Sequence, residues 1–214
     1  FIQADMVKPG AAVIDRNQAD LNFLEIVEGW LRERLSGDQG GVLAEMVLHN
    51  PGETVALMHK IAEALRRSRK LVAPQAMPFA GHLQAFQQAA DELSAFVQGA
   101  GVDEPETEVF AVRFSEMAAA LPSVTDGSTP AGLVGLLVAR PHPDLTTGTG
   151  SFYAYRKKGK WAAAAKQAGL SKADGDRLND TASGLYEACC AAWTALLQAV
   201  SDQVLTTLID EART

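Results

Sequence analysis

The sequence predicts an all-α fold: a multi-helix bundle closed by a long C-terminal helix and preceded by a short N-terminal strand or extended arm. Three observations carry this expectation. Aromatic residues make up only 7% of the chain, and alanine fills their place; it is the best helix former, and small side chains let helices pack closely. Apolar residues recur at three- and four-residue spacing through most of the chain, which is the period of an amphipathic helix. That spacing is sustained longest at the C-terminal end, from about residue 176 to residue 211.

Taken in order, residues 17–35 read as the first helix. Leu24, Val27, Leu31 and Leu35 form one stripe with Phe23 and Trp30 beside it, Asn17 or Asp20 serves as cap, and Gly37 ends it. After a glycine-rich break, a short helix over residues 42–49 stops at Asn50-Pro51. The next helix spans residues 53–71, with Val55, Met58, Ile61 and Leu65 as its apolar face. Arg66, Arg67, Arg69 and Lys70 crowd its last turns, where cations favour the helix dipole. Pro74 and Pro78 mark a loop, and Leu83, Phe86, Ala90, Leu93 and Val97 then define a helix closed by Gly99. Residues 107–121 suit a helix through Phe110, Phe114, Met117 and Leu121, and a strand through the alternation of Phe110, Val112 and Phe114. The alanines at 118–120 favour helix.

Residues 122–130 read as a turn-rich linker and residues 131–139 as a short apolar helix, buried on all sides, with a short buried strand as the alternative. The loop at 141–151 is the longest, and it is the place for a domain subdivision or a binding loop. The expected organisation is an extended segment at 1–16 and one helical domain at 17–214. A basic cluster (Arg156, Lys157, Lys158, Lys160) leads into a short helix at 161–169. The last helix carries Leu178, Leu185, Cys189, Trp193, Leu196, Val200, Val204 and Leu208 on one side, with Gly184 as a bend point. At 1.5 Å per residue it is about 50 Å long.

The first fifteen residues, FIQADMVKPGAAVID, resemble a segment of bifunctional methylenetetrahydrofolate dehydrogenase/cyclohydrolase. In that family a Met-Val-Lys-Pro-Gly turn feeds an Ala-Val-Ile-Asp strand of the nucleotide-binding domain. The resemblance covers residues 1–15 and ends where Arg16 and Asn17 replace the family's Val-Gly continuation. The family's glycine loop and catalytic lysine belong upstream of this segment. The resemblance therefore implies a strand or extended arm, and it assigns no site residue and no cofactor.

The 214 residues carry a net charge of −7, with 47% hydrophobic and 21% charged residues. A chain of this size buries enough surface to need no staples. An acidic chain binds nucleic acid only through a local basic face. No apolar run reaches the roughly 18 residues of a membrane span. No basic leader with an apolar stretch opens the sequence, and the start at Phe1 is compatible with a leader already removed. The two cysteines, Cys189 and Cys190, are neighbours on a helix, so their side chains diverge and a disulfide between them is disfavoured. Two reduced thiols, at least one buried beside Trp193, fit the cytoplasm or another reducing compartment.

The chemistry-bearing residues form no catalytic set. His49, His59, His82 and His142 include no pair at i and i+4, and there is no Glu-x-x-His, so no metal site and no cofactor is expected. Asp174, Asp176 and Asp180 do not make a calcium loop, because Leu178 falls at the fifth position. Ser171, Asp174 or Asp176 instead caps the last helix. No basic residue stands at helical spacing to activate Cys189 or Cys190. Thr146 to Ser151, followed by Arg156 and Lys157, offers donors for an anion.

These residues point to a non-catalytic assembly or partner-binding protein, whose interaction helix presents Leu185, Trp193, Leu196, Val200, Val204 and Leu208 to a protein partner or a second copy. The rival is a nucleic-acid-binding coat or nucleoprotein-like subunit. It would use Arg156, Lys157, Lys158 and Lys160 with Tyr153, Tyr155 and Trp161, cations interleaved with stacking rings. The third reading is a small-ligand carrier or enzyme with a site between helices.

Overall fold

The computed structural model describes residues 16–37, 41–67, 79–124 and 129–213. Among these the fold is all-α, with eight helices and a single 3-10 turn at Pro143–Leu145. The helices are α1 (Arg16–Ser36), α2 (Val42–His49), α3 (Pro51–Arg67), α4 (Phe79–Gly99), α5 (Pro105–Val124), α6 (Pro130–Val138), α7 (Lys158–Gln167) and α8 (Lys172–Glu211). Of the arm expected at residues 1–16, Arg16 belongs to α1 and the rest lies outside the described residues, as do the loop between Pro74 and Pro78, Arg69 and Lys70.

Local chemistry explains where the helices begin. Three of them, α3, α5 and α6, open on a proline. A first-turn proline loses only an N–H that has no intrahelical partner, and its φ is already helical. Pro51 therefore starts α3 two residues before the expected Glu53, with Asn50 Oδ1 accepting the Glu53 N–H at 3.3 Å. Thr129 caps α6 by accepting the Gly132 N–H at 3.1 Å. Of the caps foreseen for α8, Ser171 takes the role. Its hydroxyl accepts the Asp174 N–H, and the Asp174 carboxylate accepts the Ser171 N–H in return, a complete capping box. Ser171 and Arg177 hold the Asp174 carboxyl well down, at about 2. At the first helix the expectation fails: α1 begins at Arg16, so Asn17 and Asp20 lie inside it, and Asp20 pairs with Arg66 at 2.8 Å instead of capping. The ambiguous stretch at 107–121 is helical throughout, and α5 continues through the foreseen linker residue Pro122.

The long helix α8 is the spine. Phe86 of α4 meets Trp193 at 5.1 Å between ring centroids, while Phe96 shares a cluster with Ala182 and Trp161, so α4 runs antiparallel to α8. Phe114 of α5 stacks edge-on to both Phe86 and Tyr186 and locks α5 against the same pair. One core cluster collects residues from α1 to α6 and α8, including Leu145 of the 141–151 loop. Trp161 and Ala164 of α7 join Val102 and Ala182 in a second, smaller cluster.

Cys189 is buried and Cys190 half-buried, both as free thiols. Burial pushes the Cys189 thiol from an ordinary 9.0 up to about 12 and Cys190 up to about 11. The native protein at pH 8 is expected to react with a disulfide reagent more slowly than the denatured chain, by on the order of a hundredfold or more, because the thiolate is the nucleophile. A thiol with a raised folded value favours the folded state until the unfolded thiol ionises. Stability is therefore expected to decline as pH rises from 9 toward 11–12. Thiol titration and denaturant melts across pH 7–11 check both outcomes.

Candidate functional site

Residues 152–157 form a strap laid over α5 and α8. Tyr153 donates its N–H to the Leu145 carbonyl at 2.9 Å, and the Tyr186 hydroxyl donates to the Tyr153 carbonyl at 2.9 Å. Tyr155 belongs to a buried polar chain. Trp161 Nε1–H can only donate, so the Tyr155 oxygen accepts it at 2.7 Å. Glu104, as a carboxylate, can only accept, so Thr107 gives it both its hydroxyl hydrogen at 2.5 Å and its backbone N–H at 2.7 Å. That leaves Tyr155 to donate to the Thr107 hydroxyl at 2.6 Å. Burial raises the Tyr155 phenol above its ordinary value, against the hydrogen bonds with Thr107 and Trp161. The chain ties the start of α5 to α7 through the strap.

This arrangement settles where each residue of the basic-aromatic segment goes. Trp161 is 1% exposed, so its faces are packed against Phe96 and the second cluster. Tyr155 stacks on Phe110 and Tyr186. Lys157 pairs with Glu106 and lies 5.3 Å from the Phe110 ring centroid. Lys160 also reaches Glu106, and Lys158 stands 3.6 Å from Asp176. Tyr153, Arg156, Lys158 and Lys160 are exposed, Tyr153 at 46%, while Lys157 and Tyr155 are half-buried. A stacking platform needs open ring faces beside unneutralised cations. In this geometry Trp161 and Tyr155 hold the strap down and the three lysines lie beside carboxylates.

The residues missed in the sequence are Glu104, Glu106 and Thr107, which turn this segment inward. The signal was present in Glu104-Pro105-Glu106, an acceptor before a proline that opens a helix. Of the other basic cluster, Arg66 pairs with Asp20 and Arg67 with Glu63.

The stripe foreseen as the interaction face of the last helix is placed inward as well. Trp193, Leu196, Val200, Val204 and Leu208 are buried, and Leu185 packs against the same cluster. These side chains form the chain's own core.

Among the described residues, four of the exposed large apolar side chains lie on α1. Val27 and Leu31 are buried and Phe23 and Trp30 pack partly on the core, but Leu24 and Leu35 of the expected stripe are 43% and 38% exposed. Leu21 extends that flank at 59% exposure, and Ile26 lies on the opposite flank at 69%. A groove of about 380 Å³ opens beside Ile26 and Trp30, floored by Met58, Ala62 and Leu65 of α3. Besides its covered stripe, α1 is held by the Asp20–Arg66 pair, the Arg66 guanidinium 4.8 Å over Phe23, and Arg34 reaching the Glu211 carbonyl at 3.5 Å, among other contacts.

Among the described residues no three His, Cys, Asp or Glu side chains are grouped to hold a metal ion, and no helix is long and apolar enough to cross a membrane. No family model matches the chain, and no curated protein or solved structure matches it significantly.

Proposed function

We propose that this chain is a non-catalytic assembly module that pairs with a second copy of itself through α1. The observation that supports this reading is the exposure of Leu21, Leu24 and Leu35 beside the covered stripe of that helix. A packed helix buries one stripe; a helix whose apolar arc runs well past its covered stripe has surface left for a second contact.

The spacing and charge of α1 favour its own copy as the occupant. Two copies of α1 laid antiparallel about Glu28 set Leu21 of one against Leu35 of the other, the self-complementary pairing that a two-fold axis requires. Arg32 is bonded to its own Glu28 at 3.3 Å, with both side chains largely exposed. In the antiparallel pair each Arg32 comes within one turn of the Glu28 of the other copy, so the two carboxylates at the centre have cations beside them. A single-helix interface is small, so the pair is expected to be weak and concentration-dependent.

Sedimentation or light scattering over a concentration series is the test. The expected result is a reversible dimer that Leu21→Glu and Leu35→Glu convert to monomer, while Ile26→Glu on the other flank leaves it intact and far-UV circular dichroism stays unchanged for all three. A strict monomer at the highest concentration, or a dimer indifferent to Leu21→Glu, overturns the reading.

A further inference from the structure

The loop at 141–151 borders an open cleft of about 1130 Å³ between the ends of α5 and α6 and one side of α8. Its rim carries a cation, a histidine, hydroxyls and turn amides. Arg140 is exposed and forms no ion pair among the described residues. His142 Nδ1 accepts the Asp144 N–H at 3.2 Å and lies 3.5 Å from the Asp144 carboxylate. The tip of the loop is a tight turn in which the Gly150 N–H bonds the Thr147 carbonyl at 2.8 Å, with Gly150 at φ +82. The amides of Gly148 and Thr149 carry no hydrogen bond among the described residues, and Thr147 and Thr149 share a hydroxyl pair at 2.8 Å.

The carboxylate on the rim, Glu116, is engaged elsewhere. Arg113 holds it at 2.9 Å and holds Asp144 at 2.9 Å as well. The floor is apolar, formed by Met117, Ala120 and Leu197. Arg156 and Lys157, foreseen as the cations of this loop, do not line the cleft; Arg140 and His142 do.

We infer that this cleft binds an amphiphilic anion, a carboxylate or phosphate-monoester head on an apolar body. The head meets Arg140, His142 and the turn amides, because charge-assisted donors favour an anion. The body lies over Met117, Ala120 and Leu197, because burying apolar surface supplies the remaining affinity. A small inorganic anion forfeits the floor, and an amphiphilic cation meets Arg140 with like charge.

The experiment is an amide-resolved NMR titration of the intact chain with octanoate, octyl phosphate, acetate and octyltrimethylammonium. Octanoate, octyl phosphate or both are expected to shift the amides of residues 147–150 saturably, at least tenfold more tightly than acetate and with no matching response to the ammonium. The tighter of the two names the head group. Arg140→Ala is expected to weaken binding about tenfold or more, with Arg140→Lys between the two. Ala120→Phe, at an exposed position, is expected to block the floor without altering the fold. The inference is overturned if no anion shifts those amides, if the ammonium binds as well as the anions, or if binding survives both Arg140→Ala and Ala120→Phe.

Discussion

Trp193→Ala is expected to lower folding stability by about 3–5 kcal/mol, the range for emptying a large aromatic site in a packed core. Trp193 is 3% exposed and stands edge-on to Phe86 at 5.1 Å, so its loss opens a cavity where α4 and α8 meet. That loss is a large part of the roughly 5–15 kcal/mol that holds a typical domain folded. Trp193→Phe is expected to cost far less, within about 1 kcal/mol of the parent. The indole Nε1 is buried without a hydrogen-bond partner among the described residues. Phenylalanine removes that orphan donor while keeping a ring against Phe86. Denaturant unfolding of the two variants checks the contrast. A Trp193→Phe loss as large as that of Trp193→Ala would mean that the indole nitrogen has a partner, a bound water included.

Two glycines of α8 are expected to respond to alanine with opposite signs. At Gly175 an added Cβ would stand 2.9 Å from the Ala162 Cα and 3.1 Å from the Trp161 carbonyl, both backbone atoms of α7. The two helices cannot relax by turning a side chain, so α7 must move away. The overpacking costs about 1–3 kcal/mol, against the roughly 1 kcal/mol that alanine gains in helix propensity. Gly175→Ala is expected to destabilise on balance, and Gly175→Val more strongly. A Cβ at Gly184 meets nothing within 4 Å, so Gly184→Ala is expected to stabilise by about 0.5–1 kcal/mol. Thermal or chemical melts of the single variants decide both. An unchanged Gly175→Val melt would show that α7 is not seated on α8 at this point.

Much of the helix pattern was legible because it rests on local rules. The bounds of α2 follow from a glycine before it and Asn50-Pro51 after it, and α5 follows from the three- and four-residue spacing of Phe110, Phe114, Met117 and Leu121. Where the reading slipped, it slipped on local chemistry of the other sign. Pro51 both ends α2 and opens α3, and only the closing role was anticipated. The two candidate sites were less legible, because a site is a statement about what faces what. The alternation of rings and lysines at 153–161 is the same string whether it stacks on a ligand or on Phe110 and Tyr186. Its direction depends on Glu104, Glu106 and Thr107, some fifty residues earlier in the chain.

By itself, the sequence determined that this chain is helical, that it carries a long amphipathic helix, and that its neighbouring cysteines sit on that helix as free thiols. Periodicity, capping and propensity act over one or two turns, and those distances are written in the order of the residues. Only the tertiary structure decided which apolar stripes are spent inside. The stripe of α8 is covered by α4, α5 and α6, whereas that of α1 keeps Leu21, Leu24 and Leu35 at the surface. The physical reason is that apolar burial has no direction along the chain. Any stripe can be satisfied by its own fold or by another surface, and the choice depends on how many helices the rest of the chain brings to it.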